Sequence, residues 1–260
     1  MKVFQVDAFT DQVFSGNPAA VIPLKEWPDT EILQKIAAEN NLSETAYFKK
    51  QESGSFKIRW FTPLTEVDLC GHATLASAHV LFNHLGFSEG QIRFDSNSGE
   101  LTVRKEENVY WMDFPANPPK PIPVPKLIPE AIGTIPIYCG VNTDLLVLVQ
   151  DQETIRNLKP DLLILKKMEV RGVIVTAVCI DGEADFVSRF FGPAVGVDED
   201  PVTGSAHTVL APFWAKKIGK KRLKAKQISK RGGSLMCEVN GNRVLIGGEA
   251  VTYMKGEIAF

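Results

Sequence analysis

Apolar and polar positions alternate over short runs that are separated by turn residues, a pattern typical of strands with one buried face. Residues 3–9 follow it, which favours a strand over a signal peptide at this end of the chain. The same pattern predicts strands at residues 19–24, 43–48, 55–61, 91–95, 99–105, 109–114, 145–150, 172–180, 186–191 and 243–253. A hairpin is predicted at Asn240-Gly241.

A second pattern predicts helices. Asp29 is a suitable N-cap for residues 31–39, whose apolar side chains share one face. Residues 71–85 and 204–217 are small and apolar on nearly every side, as in helices that are buried all round. The elements together predict an α+β fold with two antiparallel sheets, each wrapped round one buried helix.

The second half of the chain repeats the first. Arg59 and Arg189 are 130 positions apart, and Gly71 and Gly204, which open the loops before the two buried helices, are 133 apart. Repeats at this spacing indicate a duplicated domain with a three-residue insertion. The predicted domains are residues 1–117 plus about 251–260, and residues 130–250, with the proline-rich segment 115–136 as a linker.

The two loops predict an anion-binding cleft. The first N–H groups of a helix have no intrahelical acceptor and lie at its positive dipole end, which suits a carboxylate. If the two halves face each other, both helix N-termini point into one cleft. Of the predicted substrate-binding residues, Gly71, Ala73, Gly204, Ser205 and Ala206 lie in these two loops, and Ser43, next to Glu44, is the sixth.

Three other side chains are candidates for chemistry. Glu44, at the entry to a strand, would be a general base with a raised pKa if it were partly desolvated, although a surface or capping role is an open alternative. His72 could bind a carboxylate, relay a proton or cap its own helix. Asp200 could orient His72 or the substrate, or lie in a solvated acidic turn.

Cys70 is a rival nucleophile or base, since a helix N-terminus lowers the pKa of a thiol. Its counterpart in the repeat is Thr203, so a symmetric pair of thiols is absent from these two positions. A buried, inert cysteine is the competing interpretation. The other histidines, His79, His84 and His207, have no spacing typical of metal ligands and are interpreted as structural.

Composition narrows the function classes. The 260 residues are 44% hydrophobic and 23% charged with a formal net charge of −2, which indicates a globular protein without the basic field of a nucleic-acid or membrane binder. No apolar run reaches the length of a membrane span. The four cysteines are widely spaced, which predicts neither a zinc site nor disulfides and favours a cytoplasmic location.

Several motifs resemble the phenazine-biosynthesis-like (PhzF-like) family, a branch of the diaminopimelate epimerase fold. They are Asp7-Ala8-Phe9-Thr10, Gly16-Asn17-Pro18-Ala19-Ala20-Val21, Asn41-Leu42-Ser43-Glu44-Thr45-Ala46, Trp60-Phe61-Thr62-Pro63, Cys70-Gly71-His72-Ala73-Thr74 and Glu199-Asp200-Pro201-Val202-Thr203-Gly204-Ser205-Ala206. Lys230-Arg231-Gly232-Gly233 differs from the phenazine enzymes and is more similar to the branch with animal MAWD-binding-like proteins.

The resemblance implies two pseudo-symmetric epimerase-like domains, an active cleft between them, and a homodimer. It also implies an isomerase without cofactor or metal, in which Glu44 moves a proton between two carbons of a small carboxylic acid. His72 and Asp200 match the family's catalytic partners of the glutamate, and Ser205 matches a group that holds the substrate. Two hypotheses compete with this one: a Cys70-dependent epimerase or dehydratase of an amino or imino acid, and a binding or scaffold protein without turnover.

Overall fold

The structure is a computed structural model that describes residues 1–259. Its strands and helices are numbered in chain order. The strands are β1 (Lys2–Ala8), β2 (Asn17–Leu24), β3 (Glu44–Lys50), β4 (Phe56–Phe61), β5 (Glu66–Val67), β6 (Gln91–Ser96), β7 (Gly99–Glu106), β8 (Val109–Pro115), β9 (Lys120–Ile122), β10 (Tyr138–Val141), β11 (Leu145–Leu148), β12 (Val173–Val178), β13 (Phe186–Gly192), β14 (Val197–Asp200), β15 (Arg222–Gln227), β16 (Gly233–Asn240), β17 (Arg243–Gly248) and β18 (Ala250–Glu257). The α-helices are α1 (Thr30–Asn40), α2 (Gly71–His84), α3 (Ile128–Ile132), α4 (Gln152–Arg156), α5 (Leu162–Leu165) and α6 (His207–Ile218).

The chain divides into two compact units. The first unit comprises Met1–Asp113 with Gly247–Phe260, and the second comprises Phe114–Ile246. Both boundaries fall inside strands, β8 and β17. The chain therefore has no linker at residues 115–136, contrary to the prediction.

The proline-rich segment is instead folded into the second unit. It forms β9, which pairs antiparallel with β10, and helix α3, which has a proline near its start. Proline is tolerated at the first helical positions and at sheet edges because its missing N–H is not needed there. Ile128, Ala131 and Ile132 of α3 are buried in the apolar core of this unit, so the density of prolines did not prevent packing.

The two units share one strand order. In the first unit β1 is antiparallel to β2, β2 parallel to β3, β3 antiparallel to β4, β4 parallel to β6, and β6 antiparallel to β7. In the second unit β10, β11, β12, β13, β15 and β16 pair in the same order and the same directions. The α+β fold with two pseudo-symmetric halves is confirmed.

The prediction that the sheets are purely antiparallel was wrong. Each unit has two parallel pairs, because helices lie between the paired strands in the chain: α1 between β2 and β3, and α2 between β4 and β6. A helix long enough to return the chain to the same sheet edge produces a parallel neighbour. Alternation within a strand does not reveal its partner's direction.

The two central helices are buried as predicted. Residues His72–Leu81 of α2 are all buried, and in α6 His207–Ala211 and Trp214 are buried. Helix α1 buries Leu33, Ile36 and Ala37 on one face, although Asp29 at its N-cap makes no side-chain capping bond. None of the described helices is long and apolar enough to cross a membrane.

The bounds of two elements differ from those predicted from the sequence. Helix α6 begins at His207 rather than near residue 204, and Gly204–Ala206 form a turn before it. The predicted strand 243–253 is two strands, β17 and β18, separated at Glu249. Strand β18 pairs with β1 in the first unit.

An ion pair is repeated in the two units. Arg59 bonds both carboxylate oxygens of Glu66 at 2.7 Å and stacks over Phe61, with 5.0 Å between the guanidinium carbon and the ring centre. Arg189 bonds Glu199 at 2.6 and 2.9 Å and stacks over Phe191 at the same 5.0 Å. The duplicated sequence therefore keeps a duplicated contact.

Candidate functional site

Glu44 is the first residue of β3, where its backbone lies beside Ala19 of the parallel strand β2. Its side chain is 19% exposed. The residues that follow it, Thr45 to Phe48, are buried. The carboxylate thus lies where a buried strand begins and is partly screened from water, while its role as a general base stays a prediction.

Helix α2 begins beside Glu44. Cys70 is its N-cap residue, in extended conformation, and its side chain makes no capping bond. The hydroxyl of Thr74 donates to the Cys70 carbonyl oxygen at 2.6 Å. The first N–H groups of the helix, from Gly71 onward, have no intrahelical acceptor, and they lie at the positive end of the helix dipole.

His72 contacts both neighbouring candidates. Its Nδ1 lies 3.5 Å from the Cys70 sulfur in a hydrogen-bonding contact, and its Nε2 lies 3.1 Å from Oε2 of Glu44. The second contact has ion-pair distance but lacks hydrogen-bond alignment, so both atoms are buried without a hydrogen-bond partner among the described residues. Buried polar atoms are rarely left in this state, and such exceptions occur at reactive sites.

The charges of this cluster are coupled. Burial disfavours a charged His72, but Cys70 and Glu44 outweigh burial and hold the His72 pKa well above its ordinary value. Burial, and then the charge of Glu44, raise the pKa of the Cys70 thiol. Both shifts favour the protonated forms, the neutral thiol of Cys70 and the imidazolium of His72. The expected lowering of the Cys70 pKa at the helix N-terminus was wrong, because the sulfur is buried.

The same three residues could bind a metal ion. One ligand atom from each of Glu44, Cys70 and His72 lies within 4.8 Å of the others. Oxygen, sulfur and imidazole donors suit Zn²⁺. Because His72 already uses both ring nitrogens toward its neighbours, a metal would displace one of these contacts.

The second loop is built differently. The N–H groups of His207, Thr208 and Val209 bond the carbonyl oxygens three residues back, at Gly204, Ser205 and Ala206. Because of this tighter turn, the α-helix starts only at His207. The N–H groups of Gly204–Ala206 are then the first backbone donors at this end of the helix. The loop glycines are therefore equivalent in sequence, but only Gly71 is the first residue of an α-helix.

Asp200 contacts its own loop. Its Oδ2 accepts a bond from the Thr203 hydroxyl at 2.6 Å, and its backbone carbonyl accepts one from Gln227 at 2.7 Å. Gln227 also accepts from the Thr203 N–H at 2.9 Å. Asp200 is thus held in place as part of the second loop, whereas its predicted action on His72 or the substrate stays a prediction.

Ser205 contacts a charged pair that the sequence analysis missed. Its hydroxyl oxygen accepts a bond from Nη2 of Arg171 at 3.1 Å. Arg171 in turn bonds both oxygens of Asp144, at 2.9 and 2.6 Å, and the Asp144 side chain is fully buried. Neither residue lies in a motif of the repeat, so only the fold brings them to Ser205.

The remaining histidines have structural contacts, as interpreted from the sequence. His79 and His84 both bond the Thr252 hydroxyl, and His79 also contacts Tyr110. His207 bonds the Thr203 carbonyl oxygen at 2.9 Å. Burial lowers the pKa values of His79 and His207 to about 4, so both are neutral at pH 7.

Of the predicted site residues, the first unit brings Glu44 together with His72, and Cys70 joins them. Ser43 precedes Glu44 and is half-buried, while Ala73 is fully buried in α2. The second unit brings Asp200 and Ser205 into one loop, with Thr203 between them. The structure thus resolves the prediction into two clusters, one in each unit.

Known proteins resemble the chain over nearly its full length. The family model described as "Phenazine biosynthesis-like protein" matches residues 6–256. An uncharacterised isomerase of Pseudomonas aeruginosa is 53% identical over 258 residues, covering 99% of this chain and 98% of that one. A phenazine biosynthesis-like domain-containing protein of Bos taurus is 42% identical over 287 residues, covering 99% of both chains.

A solved structure agrees with these relatives. The crystal structure of a PhzF-family phenazine biosynthesis protein from Enterococcus faecalis superposes with a TM-score of 0.97 at 46% identity, covering 100% of this chain and 99% of that one. The resemblance noted from the motifs is confirmed. This chain is a member of the phenazine-biosynthesis-like (PhzF-like) family.

Proposed function

We propose that this protein is a cofactor-independent isomerase that moves a proton between two carbons of a small carboxylic acid. The observation that supports it most is the pair formed by Glu44 Oε2 and His72 Nε2, which are 3.1 Å apart, buried, and without hydrogen-bond partners among the described residues. A carboxylate and an imidazolium in this arrangement can share the transfer of a substrate proton. The isomerase name of the Pseudomonas aeruginosa relative supports the reaction class.

In the proposed reaction Glu44 removes a proton from one carbon of the substrate. The electron pair left behind spreads into the conjugated acid as an enolate-like anion. The N–H groups of Gly71 and Ala73 at the start of α2, together with charged His72, stabilise that anion. Glu44 then returns the proton to a second carbon, so the product is an isomer and no other reactant is needed.

The substrate-binding residues follow from the same proposal. Ser43 and the first turn of α2 serve the first unit, and Gly204, Ser205 and Ala206 supply donors in the second. Asp200 is proposed as a further acid–base or orienting group. We also propose that the protein is a cytoplasmic homodimer, which size-exclusion chromatography with light scattering would test for the assembly.

Proton exchange in heavy water tests the proposed function. The protein would be incubated with small unsaturated, cyclic and amino acids, and incorporation of deuterium would be followed by NMR. Glu44→Gln keeps the shape of the side chain and removes its basicity, and Glu39→Gln, on the exposed side of α1, is the matched control. We expect exchange into at least one acid with wild type and Glu39→Gln, and none with Glu44→Gln.

The thiol mechanism is a second candidate because Cys70 contacts His72 at 3.5 Å. It predicts that exchange survives Glu44→Gln and stops in Cys70→Ser. The raised pKa of the buried thiol makes it a weaker base near neutral pH. Absence of exchange with every acid, together with capture of a protein partner, would instead support the binding or scaffold hypothesis.

A further inference from the structure

The strand registers identify a position in the second unit that corresponds to the proposed base. In the first unit Thr45 lies opposite Phe61, and in the second Val173 lies opposite Phe191. Phe61 and Phe191 each stack under the arginine of the repeated ion pair. The residues before Thr45 are Ser43 and Glu44, and those before Val173 are Arg171 and Gly172.

In the second unit the position equivalent to Glu44 is Gly172, and a cation, Arg171, comes directly before it. Gly172 cannot take over that role, since it has no side chain, and an added Cβ there would meet the Phe190 ring at 2.2 Å. The preceding residue, Arg171, is the one whose guanidinium reaches Ser205. Ser205 is the repeat counterpart of His72, so each unit joins a charged strand-entry residue to the second residue of its loop.

Arg171 is fixed in one orientation but remains accessible. Its Nε and Nη2 bond the two oxygens of Asp144, and its side chain is 38% exposed while that of Asp144 is fully buried. The guanidinium carbon also lies 5.5 Å from the centre of the Phe190 ring. Burying the Asp144 carboxylate costs its hydration, which offsets much of the attraction between the two charges, so the main effect of the pair is to hold the guanidinium still.

One nitrogen of the guanidinium is left for a ligand. Nη2 uses its two N–H groups on Asp144 and Ser205, whereas Nη1 has no hydrogen-bond partner among the described residues. Nη1 and the hydroxyl hydrogen of Ser205 can each donate to one oxygen of a carboxylate, and a guanidinium that is already fixed binds it with less loss of freedom than a mobile one.

We propose that Arg171, held by Asp144, binds a carboxylate of the substrate together with Ser205 and so selects acids over uncharged analogues. The inference rests on the proposed function, since it assigns a group of the same substrate. Proton transfer belongs to Glu44 and His72, whereas recognition of the carboxylate belongs to Arg171 and Ser205. The two roles therefore respond to different substitutions.

Binding of acid and amide pairs tests the inference. Crotonate, fumarate, benzoate and cyclohex-1-enecarboxylate would each be compared with the corresponding primary amide by ligand-observed NMR, on wild type and Arg171→Lys. Lysine keeps the charge but loses the planar guanidinium that contacts Asp144, Ser205 and the carboxylate together. We expect wild type to bind at least one acid about tenfold to a hundredfold more tightly than its amide, and Arg171→Lys to lose most of that preference.

Two further variants separate recognition from folding. The double variant Arg171→Gln with Asp144→Asn avoids leaving a buried carboxylate unpaired, and it should also lose the preference for acids. Arg222→Lys, in an ion pair with Glu238 at a side chain that is 82% exposed, is the matched control and should keep it. Folding of every variant would be checked by thermal denaturation.

The result also separates the inference from the proposed function. Glu44→Gln should keep the acid preference while losing exchange. Three outcomes would overturn the inference. Arg171→Lys and the double variant could keep the preference for acids within twofold, or the substitutions could weaken the binding of acid and amide equally. The third outcome is that wild type binds no acid more tightly than the corresponding amide. Arg171-dependent binding without exchange in wild type would leave the inference standing and reject the isomerase.

Discussion

The two loops that open the central helices have the same ancestry in the sequence but different contacts. In the first, the Cys70 side chain contacts His72, which faces Glu44. In the second, the Thr203 hydroxyl bonds Asp200, and Ser205 faces Arg171. Duplication has kept the framework, while the polar side chains differ: one loop carries the proposed proton-transfer cluster and the other the proposed anion-binding cluster.

The hydrogen bonds at the two helix starts show which contacts the two loops still share. Thr74 and His207 occupy equivalent positions, and each bonds the carbonyl oxygen four residues back, at Cys70 and Thr203. The side chains that hold the helix start are therefore replaced without loss of the bond. His72 and Ser205, which are also equivalent, differ in their partners: His72 contacts Cys70 and Glu44, and Ser205 accepts a bond from Arg171.

The largest effect that would sharpen the comparison is expected for His72→Asn. Removing the imidazolium should lower the exchange rate about 10²- to 10⁴-fold, because a positioned acid–base group contributes that much. Ser205→Ala, at the equivalent position of the other loop, should instead raise KM about tenfold with kcat changed by less than about threefold. Steady-state exchange kinetics of both variants would measure this, and equal changes in kcat would remove the division of roles.

The second effect concerns the repeated ion pairs. Arg189→Ala should lower the free energy of unfolding by about 3–5 kcal/mol, since it leaves Glu199 with an unpaired, largely buried charge. Arg59→Ala should also lower the free energy of unfolding, by about 1–2 kcal/mol less than Arg189→Ala does. Arg189 also donates to the carbonyl oxygens of Ile155 and Leu158, whereas among residues 1–259 the only other hydrogen bond of Arg59 is to the exposed Thr30 hydroxyl.

Urea unfolding would measure these costs. Arg222→Ala, at a guanidinium that is 82% exposed, should cost less than about 1 kcal/mol and serves as the control. Equal losses at Arg59 and Arg189 would show that the two extra carbonyl contacts of Arg189 contribute nothing. Losses no greater than that of the control would show that the repeated pairs are not structural.

The histidines of the two loops, His207 and His72, are expected to change the stability of the protein with pH in opposite directions. The pKa of His207 is lowered to about 4 by burial, so folding favours its neutral form, and the stability this gives is present above about pH 6.5 and lost as the pH falls toward 4. At pH 5 about 2 kcal/mol should be gone. The raised pKa of His72 has the reverse sign, with stability present below about pH 6.5 and lost as the pH rises through the folded value.

NMR titration of the ring protons would follow each histidine, with His207→Gln and His72→Asn to assign the signals. The wild-type signal of His207 should move only near pH 4, while that of His72 should show a charged ring at pH 7. In Glu44→Gln the midpoint of His72 should fall, because the neighbouring carboxylate is gone. A His72 ring that is neutral at pH 7 would remove the imidazolium from the proposed mechanism.

The smallest effect is expected for Cys70→Ser. With Glu44 as the base, exchange should stay within about tenfold of wild type, because the thiol is protonated and only its contact with His72 is altered. Thr203→Ser, at the equivalent residue of the second loop, keeps the hydroxyl that bonds Asp200 and is the matched control. Complete loss of exchange in Cys70→Ser alone would transfer the chemistry to the thiol.

Local patterns predicted the parts of the site that lie close together in the chain. Gly71, His72 and the buried helix after them form one continuous signal, and Glu44 stands at the start of an alternating strand. The registers were harder to predict. The parallel pairing of β3 with β2 depends on where α1 returns the chain, and this pairing sets Glu44 beside the helix start.

Arg171 and Asp144 show what the sequence could not provide. They are 27 positions apart, and each is an ordinary charged residue beside a short apolar strand. Only the pairing of β11 with β12 brings them together, and only the match between Val173 and Thr45 shows that Arg171 precedes the counterpart of the base. A search of the sequence at an offset of 128 rather than 130 would have aligned Arg171 with Ser43.

The position of strand β18 has a consequence for the order in which the two units fold during synthesis. The second unit is one continuous stretch of chain, Phe114–Ile246, whereas the first is completed by residues from Gly247 onward, with β18 lying along β1. On the ribosome, β1 can pair with β2 early, but its second neighbour exists only after Ala250 and the residues that follow it in β18 have been translated. We therefore expect the second unit to be complete before the first, with the open edge of β1 protected by chaperones until β18 has been made.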